Sequence, residues 1–86
     1  MLTVNDLLNV INFEEDNVQV TVRNWCKPAG DPDGEYVYGW KDIYHNHDLE
    51  YGFVDKDFEE WLGRLEVDNI HMADNAIIVV ANNYTA

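Results

Sequence analysis

The run AIIVVA at residues 76–81 is the longest wholly apolar stretch in the chain, and it restricts the possible folds more than any other feature. It is far shorter than the roughly 20 residues a membrane-spanning helix needs. Its branched side chains favour a strand, and apolar residues at both parities need cover on both faces. Such a strand belongs in the interior of a sheet or beneath a helix. The rest of the chain must therefore supply its neighbours and its cover.

Candidates follow from the patterning. Thr3 with Asp6 three residues on forms a capping box, and Leu2 and Leu7 have the spacing of a hydrophobic staple. Val4, Leu7, Leu8 and Ile11 share one helical face, which predicts a helix ending near residue 13. Val18, Val20 and Val22 alternate with polar residues as a half-buried strand. The segment KPAGDPDG at 27–34 holds both prolines and reads as a surface loop. A second strand is expected in EYVYGW, with Tyr36, Tyr38 and Trp40 on one face, and a short extended segment through Leu49, Tyr51 and Phe53. Asp55 is placed to cap a short helix presenting Phe58, Trp61 and Leu62, with Gly63 as its stop. A hairpin closes the chain: Leu65, Val67, Ile70 and Met72 on one strand, a turn at Ala73-Asp74-Asn75, then AIIVVA. The expected fold is a single α+β domain over residues 1–86, in the order α-β-β-(β)-α-β-β, with two helices packed on a mainly antiparallel sheet.

Chemistry is sparse. The chain contains no serine, and its one cysteine, Cys26 beside Trp25, reads as a packing residue. No glycine-rich phosphate cradle is present. His45 and His47 would share a face of an extended segment, but two ligands do not hold a metal, so the stretch YHNHDLEY reads first as a solvated loop. Divalent-metal binding through His45 and His47 stays a distant alternative. Residues 31–42 place Asp31, Asp33, Glu35 and Asp42 at calcium-loop positions, but Tyr36 stands where that loop needs glycine. The expectation is a non-enzymatic protein without cofactor or metal.

Charge is the remaining signal. Seventeen acids against five bases give −12, and residues 31–60 hold ten of the acids against Lys41 and Lys56. Such a chain is repelled by nucleic acid and by anionic membranes and is drawn to basic surfaces, notably those of nucleic-acid-binding proteins. Carboxylates two apart on a strand lie about 6.6 Å apart, of the order of phosphate spacing in nucleic acid. The spacing occurs in sequence at Asp31/Asp33/Glu35, Asp48/Glu50 and Asp55/Asp57/Glu59. The candidate partner-binding residues are these acids with Asp42 and Glu60, joined by Tyr38, Tyr44 and Tyr51 as aromatic anchors. Trp40 and Trp61 are expected in the core. With no basic segment ahead of an apolar stretch at the N-terminus, the expected location is the cytoplasm.

The segments LTVNDLLNVI, DNVQVTV and WLGRLEVDNIHMADNAIIVV resemble short proteins of phages and mobile elements of low-GC bacteria. That resemblance covers about half of the chain, and the acidic middle departs from it. The size, the acidity and the N-D-L opening followed by D-x-V-x-V are similar to small anti-CRISPR proteins that inhibit Cas9-type nucleases. The second resemblance implies a phage-encoded inhibitor, working in the host bacterial cytoplasm, that acts as a DNA mimic occluding a nucleic-acid-binding surface, with a CRISPR effector among the possible partners. It transfers no individual residue. The competing expectation is a structural or adaptor domain that self-associates as a homo-oligomer or binds another protein through a sheet edge or aromatic patch.

Overall fold

The computed structural model describes residues 1–8, 10, 16–45 and 56–85. Helix α1 spans Val4–Leu8, strand β1 Val18–Cys26, strand β2 Val37–His45, helix α2 Lys56–Arg64, strand β3 Glu66–Ala73 and strand β4 Ala76–Thr85. The four strands form one sheet in the order β2-β1-β4-β3. AIIVVA lies in β4, an interior strand, as its two-sided apolar pattern requires.

The sheet is mixed. β1 pairs antiparallel with β2 and β3 with β4, but the central pair, β1 with β4, runs parallel, with Val18 opposite Ile77 and Cys26 opposite Thr85. A mainly antiparallel sheet holds for the two outer pairings and fails at the centre. The reason is topological. Each hairpin contributes one edge strand and one central strand, and the connection through α2 brings the second hairpin in beside β1 rather than beside β2. The extended segment expected through Leu49, Tyr51 and Phe53 lies outside the described residues, as do Ile11 and the Asp55 cap.

Both helices cover one face. Val4 and Leu7 of α1, Leu62 of α2 and the following Leu65 bury against Val18, Val20 and Val22 of β1 and Val79 and Ala81 of β4. Tyr44, Phe58, Trp61, Val67 and Ile77 pack around that cluster. Trp61 is thus half-buried against the core, as expected. The capping box forms: Thr3 N–H donates to Asp6 Oδ2 at 2.9 Å, and Asp6 N–H donates to Thr3 Oγ1 at 3.3 Å. Leu2 is half exposed, and its carbonyl accepts from Val67 N–H at 2.8 Å, which ties the approach to α1 to β3. Gly63 does not stop α2 but lies inside it, where a Cβ would sit 3.4 Å from Asn5 Cβ. That is ordinary van der Waals contact between the two helices, and α2 ends one residue later as Leu65 N–H turns back to Leu62 O at 3.2 Å.

The opposite face carries no helix among the described residues. There Ala76, Ile78 and Val80 form a second, smaller buried cluster along β4. Polar neighbours flank it: Gln19 and Thr21 on β1, Asn69 and His71 on β3. The hairpin turn at Asp74-Asn75 holds both residues at positive φ, 51° and 61°, the backbone of a type I′ turn.

Candidate protein-binding surface

Strand parity sorts the side chains of β2, and a bulge resets that parity. Trp40 pairs with Asn24 and Tyr38 with Trp25, so Gly39 is the extra residue. A Cβ at Gly39 would lie 3.2 Å from Asn24 O and 3.3 Å from Cys26 Sγ, a fit tight enough that its neighbours would have to give by a few tenths of an ångström. Consequently Tyr36, Tyr38 and Trp40 do not share a face. Trp40 points to the helix side, beyond the helices, and is 52% exposed rather than core.

On the opposite face, four rings gather at one end of the sheet. Trp25 meets Tyr38 edge-on at 5.6 Å and lies roughly parallel to Tyr84 at 6.5 Å. Tyr36 meets Tyr84 edge-on at 5.1 Å. Trp25 is fixed from below, its Nε1–H donating to Asn82 Oδ1 at 2.8 Å. Tyr36, Tyr38 and Tyr84 remain 39%, 49% and 50% exposed. Two of the chain's own cations sit over these rings: Arg23 lies 5.8 Å from the Trp25 centroid and Lys27 5.2 Å from that of Tyr36. Arg23 also pairs with Asp68 at 2.7 Å. Asp68 is held below the usual carboxylate range, first by the hydrogen bond from Asn69 and then by the Arg23 charge.

The candidate acids fall into separate groups. Asp31, Asp33 and Glu35 are exposed on the loop between β1 and β2, beside the four rings. That loop is a series of turns, with Asp31 N–H bonded to Pro28 O and Gly34 N–H to Asp31 O, each at 3.1 Å. These acids therefore do not form the extended row with phosphate-like spacing. Lys27 joins loop to rings, donating from Nζ to Pro32 O at 2.8 Å while lying over Tyr36. Asp57, Glu59 and Glu60 are exposed on α2, where residues two apart do not face one another. Glu59 and Glu60 line a groove of about 600 Å³ with Thr3, Asn5, Gly63 and Arg64. Asp48, Glu50, Asp55 and Tyr51 lie outside the described residues.

Two candidates have partners within the fold. Asp42 is half-buried and accepts from Asn24 Nδ2 at 3.1 Å, while Asn24 Oδ1 accepts from Asn83 Nδ2 at 2.9 Å. This polar chain satisfies Asn24, which is only 3% exposed. Tyr44 packs edge-on against Phe58 at 5.2 Å, and burial followed by the Asp42 charge pushes its phenol pKa upward. Tyr44 therefore braces α2 against the sheet. His45 is exposed at the end of β2, whereas His47 lies outside the described residues.

Trp25, Tyr36 and Tyr84 were not among the candidate residues read from the sequence, yet they join Tyr38 in the ring cluster. The alternation of Thr21, Arg23 and Trp25 against the buried valines already put Trp25 on the polar face of β1. Tyr84 had no such signal, because its place beside Trp25 depends on the parallel β1–β4 pairing. No helix among the described residues is long and apolar enough to cross a membrane. Compared with family models, curated proteins and solved structures, the chain matches none. The fold and the surface thus define a class, an acidic α+β domain with an exposed aromatic end.

Proposed function

We propose that this protein is a non-enzymatic binding protein that docks on a basic, nucleic-acid-handling protein and occludes its nucleic-acid site. One observation carries the reading: Asp31, Asp33 and Glu35 stand exposed on the loop that borders the aromatic cluster, in a chain of net charge −12. Exposed carboxylates cost little to desolvate partially and steer a basic partner from a distance, while adjacent rings supply short-range contact area. The acids act as clustered patches and need no regular nucleic-acid-like spacing. A phage-encoded inhibitor of a CRISPR effector in a bacterial cytoplasm is the specific form that the sequence resemblance favours.

The test is inhibition. Increasing protein is added to a Cas9-type effector and to other basic nucleic-acid enzymes, and DNA loading is read by mobility shift at low and moderate salt. Loss of loading that is relieved by salt, and by Asp31→Lys/Asp33→Lys/Glu35→Lys, is expected. If loading is unaffected throughout the panel, or the charge-reversed variant inhibits as well as the parent, the reading fails.

The two edge strands favour a second reading, a self-associating or adaptor domain. β2 and β3 are the edge strands of the sheet among the described residues, and they expose Val37, Ile43, Ile70 and Met72. Association through these edges would persist at high salt, where a charge-steered complex weakens. Sedimentation at two ionic strengths separates the two readings.

A further inference from the structure

The loop acids and the ring cluster belong to one site, and its chemistry favours one kind of side chain. We infer that the end of the sheet formed by Trp25, Tyr36, Tyr38 and Tyr84, rimmed by Asp31, Asp33 and Glu35, is a receptor for the arginine side chains of a basic protein segment. The inference rests on the proposed reading of the chain as a binder of basic surfaces and specifies where and how it grips.

The protein itself supplies two examples of the contact. Arg23 sits over Trp25 and Lys27 over Tyr36, so the faces of these rings already hold cations. Lys27 does so while its ammonium donates to the backbone of the acidic loop at 2.8 Å, which is the geometry an incoming cation would extend: ring beneath, acidic loop beside. Tyr38 and Tyr84 are half exposed, leaving ring surface for further cations. The resident cations take the faces of Trp25 and Tyr36, so an incoming guanidinium is directed to Tyr38 and Tyr84, and the Arg23 charge is matched by Asp68 at 2.7 Å. A guanidinium suits such a place better than an ammonium, because it is planar, weakly hydrated and able to stack on a ring while its edge meets a carboxylate. A nucleic acid has the right planar groups but the wrong charge for the adjoining acids.

The experiment is a calorimetric titration of the full chain with a decaarginine peptide and a decalysine peptide of equal charge. The parent is expected to bind the arginine peptide about tenfold more tightly. Tyr38→Ala/Tyr84→Ala should abolish that preference, while Tyr38→Phe/Tyr84→Phe, which keeps the rings, should retain it. Asp31→Asn/Asp33→Asn/Glu35→Gln should weaken both peptides alike. Equal affinity for the two peptides in the parent, or a preference that survives loss of the rings, overturns the arginine receptor. Salt-sensitive binding shared by both peptides would in that case leave the charge-steered reading standing, and binding of neither peptide would remove both. Ring-dependent binding of a single-stranded oligonucleotide, or a parent dimer that the alanine variant converts to monomer, would also overturn the inference by assigning the rings to another occupant.

Discussion

The start of the fold depends on two side chains three residues apart. Thr3 and Asp6 satisfy each other's backbone N–H groups, so a helix of only five residues has a fixed beginning. Thr3→Ala should cost about 1 kcal/mol in urea unfolding. The Asp6 carboxyl is pulled below its ordinary range, chiefly by the Thr3 backbone N–H and then by the Thr3 side chain. A lowered folded-state pKa contributes stability above the unfolded value, near 3.9, that is lost as pH falls through the folded one. Asp6→Asn should therefore unfold more easily than the parent near neutrality, and the two stability curves should converge in acid. Asn24→Ala strands Asn83 and Asp42 beside a closed core, with an expected loss of about 1–3 kcal/mol in the same assay. The capping box was legible because it is local in sequence. The role of Asp42 was not, because nothing near it in sequence shows that Asn24 lies across the sheet.

Single backbone positions decide where the elements point their side chains. Gly39 inserts one residue into β2, and everything before it changes face relative to a regular strand. The alternation Tyr36, Tyr38, Trp40 looked uniform, and period-two reasoning has no means of detecting an extra residue unless the partner strand is known. Gly39→Val would press a side chain against Asn24 O and Cys26 Sγ, and we expect a loss of about 1–3 kcal/mol by chemical denaturation. At the β3–β4 turn the effect has the opposite sign. Asn75 occupies φ 61°, where glycine carries no steric cost, so Asn75→Gly should stabilise the hairpin by about 0.5 kcal/mol, visible as a higher unfolding midpoint. The interior place of AIIVVA was legible from its own residues. Its parallel pairing with β1 was not, since both directions satisfy the same burial pattern.

Across the whole molecule, charge opposes compactness while the two-sided core of β4 supports it. With net charge −12 and exposed acids at both the β1–β2 loop and α2, added salt should screen repulsion and raise the thermal midpoint between low and physiological ionic strength. A midpoint that fell with salt would mean that attractive pairs such as Arg23–Asp68 outweigh the repulsion. The acidity and the class of fold were legible from composition and periodicity. The gathering of Trp25, Tyr36, Tyr38 and Tyr84 at one end required the assembled sheet.

The parallel β1–β4 pair also fixes the order in which this molecule can come into being. β1 is made early, yet the strand that covers its other side follows β2, α2 and β3 in the chain. On the ribosome the inner edge of β1 must therefore wait for its partner until the last strand emerges, although the helices that cover Val18, Val20 and Val22 are made earlier. Closure joins strands far apart in the sequence, a topology that folds slowly. The dense negative charge that steers partners in the finished protein would, during that interval, also keep unfinished chains apart.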